Sequence, residues 1–198
     1  MKIALITGAS QGIGSAIAKE LNQKKIKVIL VARSKVKLKK IQTSLKFPKN
    51  SIIISKDLRS LSACNSIGAK IKKLNYLINV AGATKGGSFL KLKDNVWDDG
   101  FNLKFKAAVR LSRNFWKTLR RNKGKVINIG GGAARNPSHT FMIGGAVNSA
   151  LNNFSRALAM QGKIDKVSVS IIHPGMTLTS RLKKLLETDS KILKKSVK

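Results

Sequence analysis

A glycine-rich loop near the start of the chain carries the clearest chemical signal in the sequence. Thr7-Gly8-Ala9-Ser10-Gln11-Gly12-Ile13-Gly14 stands between an apolar, β-branched stretch and a helical pattern. Glycines permit a tight turn and a close approach of the backbone to a ligand, and the start of the next helix offers N–H groups and a favourable dipole to an anion. Between a strand and a helix, such a loop predicts a site for the pyrophosphate of a dinucleotide. The predicted contacts are Gly8, Ser10, Gln11, Gly12, Ile13 and Gly14.

Few other side chains offer acid–base or metal chemistry. Cys64 is the single cysteine, and one thiol builds no disulfide framework. The two histidines are well separated and have no Cys or acidic partners near them, so we expect no metal site. His139, in a predicted loop, is a candidate substitute acid because imidazole titrates near neutrality. The sequence favours the alternative, an exposed loop histidine, and His173 is expected to pack or hydrogen-bond locally.

Strand-like and helix-like segments alternate along the chain and must position these residues. The hydrophobic patterns predict strands at 2–7, 27–32, 51–55, 76–80, 125–129 and 167–172. They predict helices at 13–24, 35–46 (capped by Ser34), 60–73, 93–121 and 141–161, with a short final helix through Leu182, Leu185 and Leu186. Repeated β–α units predict a single α/β domain over 1–198, a Rossmann-type doubly wound parallel sheet of about six strands with helices on both faces. Ligands of such sheets bind beyond the carboxyl ends of the strands.

The chain is very basic: 40 Lys and Arg against 8 Asp and Glu give a net charge of +32. Such a charge promotes loose binding to nucleic acid or anionic membranes. The lysines are scattered, however, and no zinc-finger spacing or aromatic RNA-binding motif accompanies them, so we expect no specific nucleic-acid partner. The longest apolar runs are too short to span a bilayer, and no signal-peptide pattern follows Met1. The sequence therefore predicts a cytoplasmic protein without a membrane partner.

Four motifs occur in the order typical of one enzyme family. The glycine-rich loop resembles the signature of the short-chain dehydrogenase/reductase family, and Asp57-Leu58 resembles the family pair that contacts adenine. Asn79-Val80-Ala81-Gly82 resembles the segment behind the cofactor, and Pro174-Gly175-Met176-Thr177-Leu178-Thr179 resembles the Pro-Gly segment near the nicotinamide. The resemblance implies an oxidoreductase that moves hydride between a nicotinamide dinucleotide and a small carbonyl or alcohol. The cofactor contacts that it implies are Asp57, Leu58, Asn79, Ala81, Gly82, Pro174, Gly175 and Thr179.

The end of the second predicted strand bears on which dinucleotide binds. An acidic residue there would accept hydrogen bonds from the ribose 2′-hydroxyl of NAD, but the strand is followed by Arg33. With Ser34 and Lys37, Arg33 can pair a 2′-phosphate instead, because a guanidinium suits phosphate oxygens. The alternative is one more surface arginine in a basic chain. The sequence favours NADP as cofactor, with NAD as the other candidate.

The family's catalytic positions do not hold their usual residues. Members that reduce carbonyls use an Asn-Ser-Tyr-Lys set, in which the tyrosine transfers the proton and the lysine holds the ribose. The resemblance puts Gly131 at the serine position, Gly144 at the tyrosine position and Asn148 at the lysine position. The asparagine position falls on Lys104, and the chain's only tyrosine, Tyr76, begins the fourth predicted strand. The sequence thus indicates a variant subgroup that lacks the Ser-Tyr-Lys set.

Lysine and asparagine are exchanged between the two catalytic helices. Our hypothesis is that Lys104 reaches the cofactor ribose from the neighbouring helix while Asn148 supplies the amide. Two alternatives stay open: Lys104 is one of many surface lysines, or the register slips and Asn102 takes the asparagine position.

The last part of the chain leaves the activity open. Family members continue through a substrate-covering segment and a seventh strand, so we expect 175–198 to be a shortened substrate-side segment that admits water and weakens transition-state stabilisation. Three interpretations remain: an oxidoreductase with an atypical site, a catalytically inactive dinucleotide-binding pseudoenzyme that senses or scaffolds, and a non-specific nucleic-acid-binding protein. The family also implies a homodimer or tetramer, in which Phe115, Trp116, Leu151 and Phe154 form either an interface or core.

Overall fold

Short apolar strands alternating with helices build one parallel sheet covered on both faces. The computed structural model describes residues 1–175, 177–179, 182, 186–187 and 190. Its strands are β1 Ile3–Thr7, β2 Lys27–Ala32, β3 Ser51–Ser55, β4 Tyr76–Asn79, β5 Lys125–Ile129 and β6 Ser168–Ile172. The α-helices of the described ranges are α1 Gly12–Gln23, α2 Lys35–Thr43, α3 Leu61–Lys70, α4 Asp94–Gly100, α5 Ala107–Arg121 and α6 Met142–Asp165. The six strands pair in parallel in the order β3-β2-β1-β4-β5-β6, which confirms the predicted α/β Rossmann-type sheet.

The predicted helix over 93–121 is interrupted. Between α4 and α5 lies a π-helical segment, Phe101–Lys106, whose wider turns break the regular periodicity on which the prediction was based. The segment follows Gly100, where a Cβ would lie 2.7 Å from the Ile143 side chain of α6. The close approach of α4 to α6 therefore needs glycine there. At the other end of the chain, Leu182 and Leu186 are helical, while Leu185 lies outside the described residues.

The core lies on both faces of the sheet. Leu5 and Leu77 pack with Phe115 under α3 and α5, and on the other face Ile6 and Leu30 pack against α1 and α2. Phe115 and Leu151 are fully buried, so they belong to the core. Phe154 and Trp116 are half-buried, and the Trp116 indole donates to Asp165 Oδ2 at 2.7 Å. Within the described ranges, no helix has the length and apolarity needed to cross a bilayer.

Thr7 joins the two halves of the sheet at the point where the strand order reverses. β1 pairs with β2 on one side and with β4 on the other. The Val80 and Ala81 N–H groups, just past β4, both donate to Thr7 Oγ1 at 3.0 Å. Such a reversal leaves a crevice beyond the carboxyl ends of the strands, where dinucleotides bind in this architecture.

The Thr7 hydroxyl is expected to stabilise this junction measurably. Thr7→Val keeps the shape but leaves two partly buried N–H groups without their acceptor, so we expect the free energy of unfolding to fall by about 1–3 kcal/mol. Thr7→Ser retains the hydroxyl and is the control. Urea unfolding of both variants measures the difference, and equal stabilities would contradict the role assigned to the hydroxyl.

Candidate active site and cofactor cleft

A cleft of about 680 Å³ opens over the carboxyl ends of the strands, and the glycine-rich loop forms one wall. Gly8 and Gly12 have φ values of +65° and +54°, which residues with a side chain rarely adopt. A Cβ on Gly14 would collide with the Gly8 carbonyl oxygen. At the start of α1, Gln11 makes no side-chain capping bond within the described chain, and the first residues of the helix, Gly12 to Gly14, line the cleft. The loop therefore has the geometry of an anion-binding helix start.

Most of the residues singled out from the sequence line this one cleft. They are Gly8, Ser10, Gln11, Gly12, Ile13, Gly14, Arg33, Leu58, Ala81, Gly82, Lys104, Asn148, Pro174, Gly175 and Thr179. Asp57, Asn79 and His139 are not part of the lining. Two further residues line the cleft and were not predicted from the sequence: Lys56, which directly follows β3, and Phe141, which directly precedes α6. Because β3 lies next to β2 in the sheet, the strand order would have indicated that Lys56 lies beside the end of β2.

One end of the cleft is cationic. Arg33, Ser34 and Lys37 lie at the end of β2, and Lys56 joins them because its N–H donates to the Ala32 carbonyl at 3.0 Å. Ser34 caps α2, accepting from the Lys37 N–H at 3.3 Å. Among the described residues, no carboxylate lines the cleft. This end can therefore neutralise a phosphate group through guanidinium and ammonium donors.

Asp57 is held away from the cleft by an arginine. Arg59 Nη2 lies 2.6 Å from Asp57 Oδ2, and Arg59 Nη1 lies 2.9 Å from Asp99 Oδ1. Hydrogen bonding from Arg59 holds the pKa of Asp57 below its usual value, and its partners raise the pKa of Arg59 further above its own. After β3 the cleft wall includes Lys56 and Leu58, while the Asp57 carboxylate, which lies between them in sequence, is bonded to Arg59.

Asn79 ties the sheet together behind the cleft. Its side-chain amide donates to Asn128 Oδ1 at 2.9 Å, and the Asn128 amide donates to Ser155 Oγ at 2.8 Å. All three residues are buried, and the chain of bonds runs from β4 through β5 to α6. In this structure the Asn79 side chain positions the strands that carry the site.

At the other end of the cleft, the positions that the resemblance assigns to serine and tyrosine carry no side chain. A Cβ on Gly144 would overlap the Phe141 ring, so an apolar ring occupies the space beside that position. A Cβ on Gly131 would lie 2.8 Å from Asn148 Nδ2. Asn148 is only 4% exposed, and its Oδ1 has no hydrogen-bond partner in the part of the chain that the structure describes. A buried acceptor without a partner is costly, which makes Asn148 a candidate for ligand contact.

Lys104 reaches the same region from the π-helical segment. Its Nζ donates to the Gly130 carbonyl at 3.0 Å, at the end of β5. Its stem crosses Gly82, where a Cβ would lie 2.7 Å from Lys104 Cδ. Glycine at 82 therefore leaves the path by which the lysine enters the cleft. The structure brings Lys104 and Asn148 together around Gly130 and Gly131, although the two residues belong to different helical segments.

Neither histidine contributes to the cleft wall. His139 is exposed in the loop before α6 and lies outside the cleft lining. His173 lies behind Gly130 and Gly131: its Nδ1 is 3.0 Å from the Gly131 carbonyl oxygen, and its Nε2 is 3.0 Å from Asn152 Oδ1. Both nitrogens of His173 are thus engaged in local bonds, as the sequence predicts.

Comparison with known proteins gives a consistent result. A family model described as short chain dehydrogenase matches residues 2–190. A 3-oxoacyl-(acyl-carrier-protein) reductase, FabG, of Rickettsia typhi is 32% identical over 189 residues, covering 94% of this chain and 77% of the relative. L-sorbose reductase from Gluconobacter frateurii, solved with NADPH and L-sorbose, has a TM-score of 0.87 and 28% identity over 96% of this chain and 75% of its own. Pseudomonas aeruginosa RhlG, solved as an NADP complex, has a TM-score of 0.86 and 26% identity over 96% of this chain and 80% of its own.

The Asp57–Arg59 pair predicts a pH-dependent contribution to stability. Because the folded-state pKa of Asp57 is lowered from 3.8, its contribution is present above that value and is lost as the pH falls through the folded-state pKa. The Asp57 side chain is 37% exposed, so solvent screening limits the effect. We expect Asp57→Asn to cost about 0.5–1 kcal/mol at pH 7 and less at pH 2. Urea unfolding at both pH values tests this, with the exposed Asp98→Asn as control, and a constant difference would contradict it.

Proposed function

Because the chain belongs to the short-chain dehydrogenase family, we propose that it is an oxidoreductase that binds NADP(H) and transfers hydride through an atypical active site. Its substrate would be a small carbonyl or alcohol. The observation that carries this proposal is the cleft itself, in which an anion-binding glycine loop and a cationic end lie at the point where the strand order reverses.

The cationic end favours NADP(H) over NAD(H). The 2′-phosphate of NADP brings additional negative charge to the end of β2, where Arg33 and Lys37 lie. Proteins that prefer NAD carry an acidic residue at this point, which binds the free ribose 2′-hydroxyl. Arg33 offers planar paired donors, and Lys37 and Lys56 offer ammonium groups. The solved complexes of L-sorbose reductase and RhlG contain NADPH and NADP, which agrees with this choice.

At the other end of the cleft, Lys104 and Asn148 could hold the nicotinamide ribose, with lysine and asparagine in exchanged positions relative to the family pattern. When bound, the nicotinamide supplies or accepts the hydride. Lys104 would donate a hydrogen bond to the ribose from the π-helical segment. Asn148 Oδ1, buried and without a partner among the described residues, would accept one from a ribose hydroxyl. Lys104 and Asn148 thus share the task that a lysine at position 148 performs in the family pattern.

A second candidate function is a dinucleotide-binding pseudoenzyme. The observation that favours it is the Phe141 ring beside Gly144, since the usual phenol is absent and its surroundings are apolar. Consumption of NADPH with a panel of small ketones and aldehydes separates the two candidates. Cofactor binding without turnover would support the pseudoenzyme.

Arg33 should set the cofactor preference. A hydrogen-bonded charge pair contributes about 1.5–3 kcal/mol, so Arg33→Ala should weaken NADPH binding about 10- to 100-fold and leave NADH binding nearly unchanged. Calorimetry measures both affinities. Salt at about 0.15 M screens the non-specific attraction between the basic chain and the anionic cofactor. Arg121→Ala, an exposed arginine at the end of α5 away from the cleft, is the control. Equal losses in both variants would mean that only bulk charge acts.

The lysine next to the nicotinamide ribose can be identified chemically. Periodate oxidises the nicotinamide ribose of NADP to a dialdehyde but spares the 2′-phosphorylated ribose. A neighbouring lysine forms an imine with the dialdehyde, with loss of water, and borohydride then fixes it. We expect mass spectrometry to locate the label on Lys104, with protection by unmodified NADP. Labelling spread over surface lysines, unchanged in Lys104→Met, would contradict the ribose contact.

A further inference from the structure

We infer that Lys104 is the proton donor for the substrate oxygen, in the role that the missing tyrosine would otherwise play. This inference rests on the proposed function and extends it, because holding a ribose and donating a proton are separate tasks. The geometry that carries it is the convergence of Lys104 with the glycine positions 82, 130 and 131 at the nicotinamide end of the cleft.

No other titratable side chain of the described residues lies at that end of the cleft. The remaining cationic side chains of the cleft lining, Arg33, Lys37 and Lys56, stand at the opposite end beside β2 and β3. Tyr76 pairs with Ala4 near the amino-terminal ends of the strands, away from the cleft. His139 is exposed outside the lining, and His173 bonds to Gly131 and Asn152. Lys104 is therefore the one titratable side chain that the described structure places at the nicotinamide end.

The backbone around Lys104 holds the ammonium in place. The π-helical segment projects the side chain, Gly82 lets its stem lie flat, and the Gly130 carbonyl accepts from Nζ. The residue is half-buried, so water can restore the proton after each turnover. A donor oriented in this way loses little freedom when substrate arrives, as effective acid catalysis requires.

The exchange of residues also removes an electrostatic conflict. Asn148 packs against Gly131, and Lys104 bonds to the adjacent residue, Gly130. A lysine at 148 would place a second ammonium in the same region, and like charges there would disfavour the protonated form of both groups. The neutral Asn148 amide adds no such charge beside Lys104.

The proposed step adds one hydride and one proton to the substrate carbonyl. In the direction of reduction, the carbonyl carbon receives a hydride, which is two electrons and one proton, from the reduced nicotinamide. The carbonyl π electrons move to the oxygen, which takes one proton from the Lys104 ammonium. The products are the alcohol and a neutral Lys104 amine, which regains a proton from water. In the direction of oxidation the amine accepts the alcohol proton.

The test compares Lys104→Met and Lys104→Arg with the wild-type protein, measuring both NADPH binding and turnover of the best ketone of the panel. Lys106→Met, an exposed lysine on the same π-helical segment, is the control for charge and helix stability. NADPH affinity is measured by fluorescence titration of the protein without substrate, so it does not depend on activity. All rates are taken at saturating NADPH.

A proton donor has a distinct kinetic signature. We expect Lys104→Met to lower kcat about 100-fold or more at saturating NADPH, the range typical of lost acid catalysis, beyond any change in cofactor affinity. The wild-type rate should fall in alkali as the ammonium deprotonates, and this decline should vanish in Lys104→Arg because guanidinium stays protonated. Added ethylamine should restore part of the activity that Lys104→Ala loses, because it supplies the missing amine. Ethylamine should not raise the activity of Lys106→Ala.

The outcomes separate the two proposals. If Lys104→Met weakens NADPH binding but keeps kcat at saturation, Lys104 only holds the cofactor, and the proton-donor role is wrong while the proposed function stands. Wild-type binding of NADPH without turnover overturns both the proton-donor role and hydride transfer, and leaves the dinucleotide site. Failure of the wild-type protein to bind NADPH overturns the proposed function itself.

Discussion

The close approach of β1 to the end of β4 is the constraint on which the rest of the structure depends. Thr7 Oγ1 accepts two N–H groups from the residues after β4, and the missing side chain at Gly8 lets the loop pass next to Ala81. A Cβ on Gly8 would lie 3.0 Å from Ala81 Cα, so a larger residue would push the loop away. The anion-binding turn and the crevice beside it exist because these two backbone segments nearly touch.

The electrostatics of the cleft follow from where the few carboxylates are placed. The chain has 8 acidic residues, and a free carboxylate in the cleft would weaken the binding of an anionic ligand by repulsion. Asp57, the described carboxylate closest in sequence to the cleft wall, is instead paired with Arg59, which also reaches Asp99. The described cleft wall therefore presents cations at one end and one ammonium at the other, which suits a polyanionic dinucleotide.

Four glycines stand at or beside the end of the cleft that holds Lys104 and Asn148. Gly144 is covered by the Phe141 ring, Gly131 by the Asn148 amide, Gly130 by the His173 ring and Gly82 by the Lys104 stem. Each glycine is thus matched by a specific side chain that would collide with a larger residue.

Much of the fold could be predicted from the sequence, because strand and helix periodicity and glycine turns are local properties. The bounds of β2, β3 and β5 and the cap at Ser34 agree with the prediction for this reason. The π-helical segment could not be predicted from a regular helical period, and the close approach of Gly100 to Ile143 of α6 joins distant parts of the chain. The contact of Arg59 with Asp99, which is 40 residues away, likewise depends on the tertiary structure. Residue types and spacing determined which groups are available for chemistry; only the tertiary structure decided which of them meet, because hydrogen bonds and steric contacts depend on distances that sequence separation does not determine.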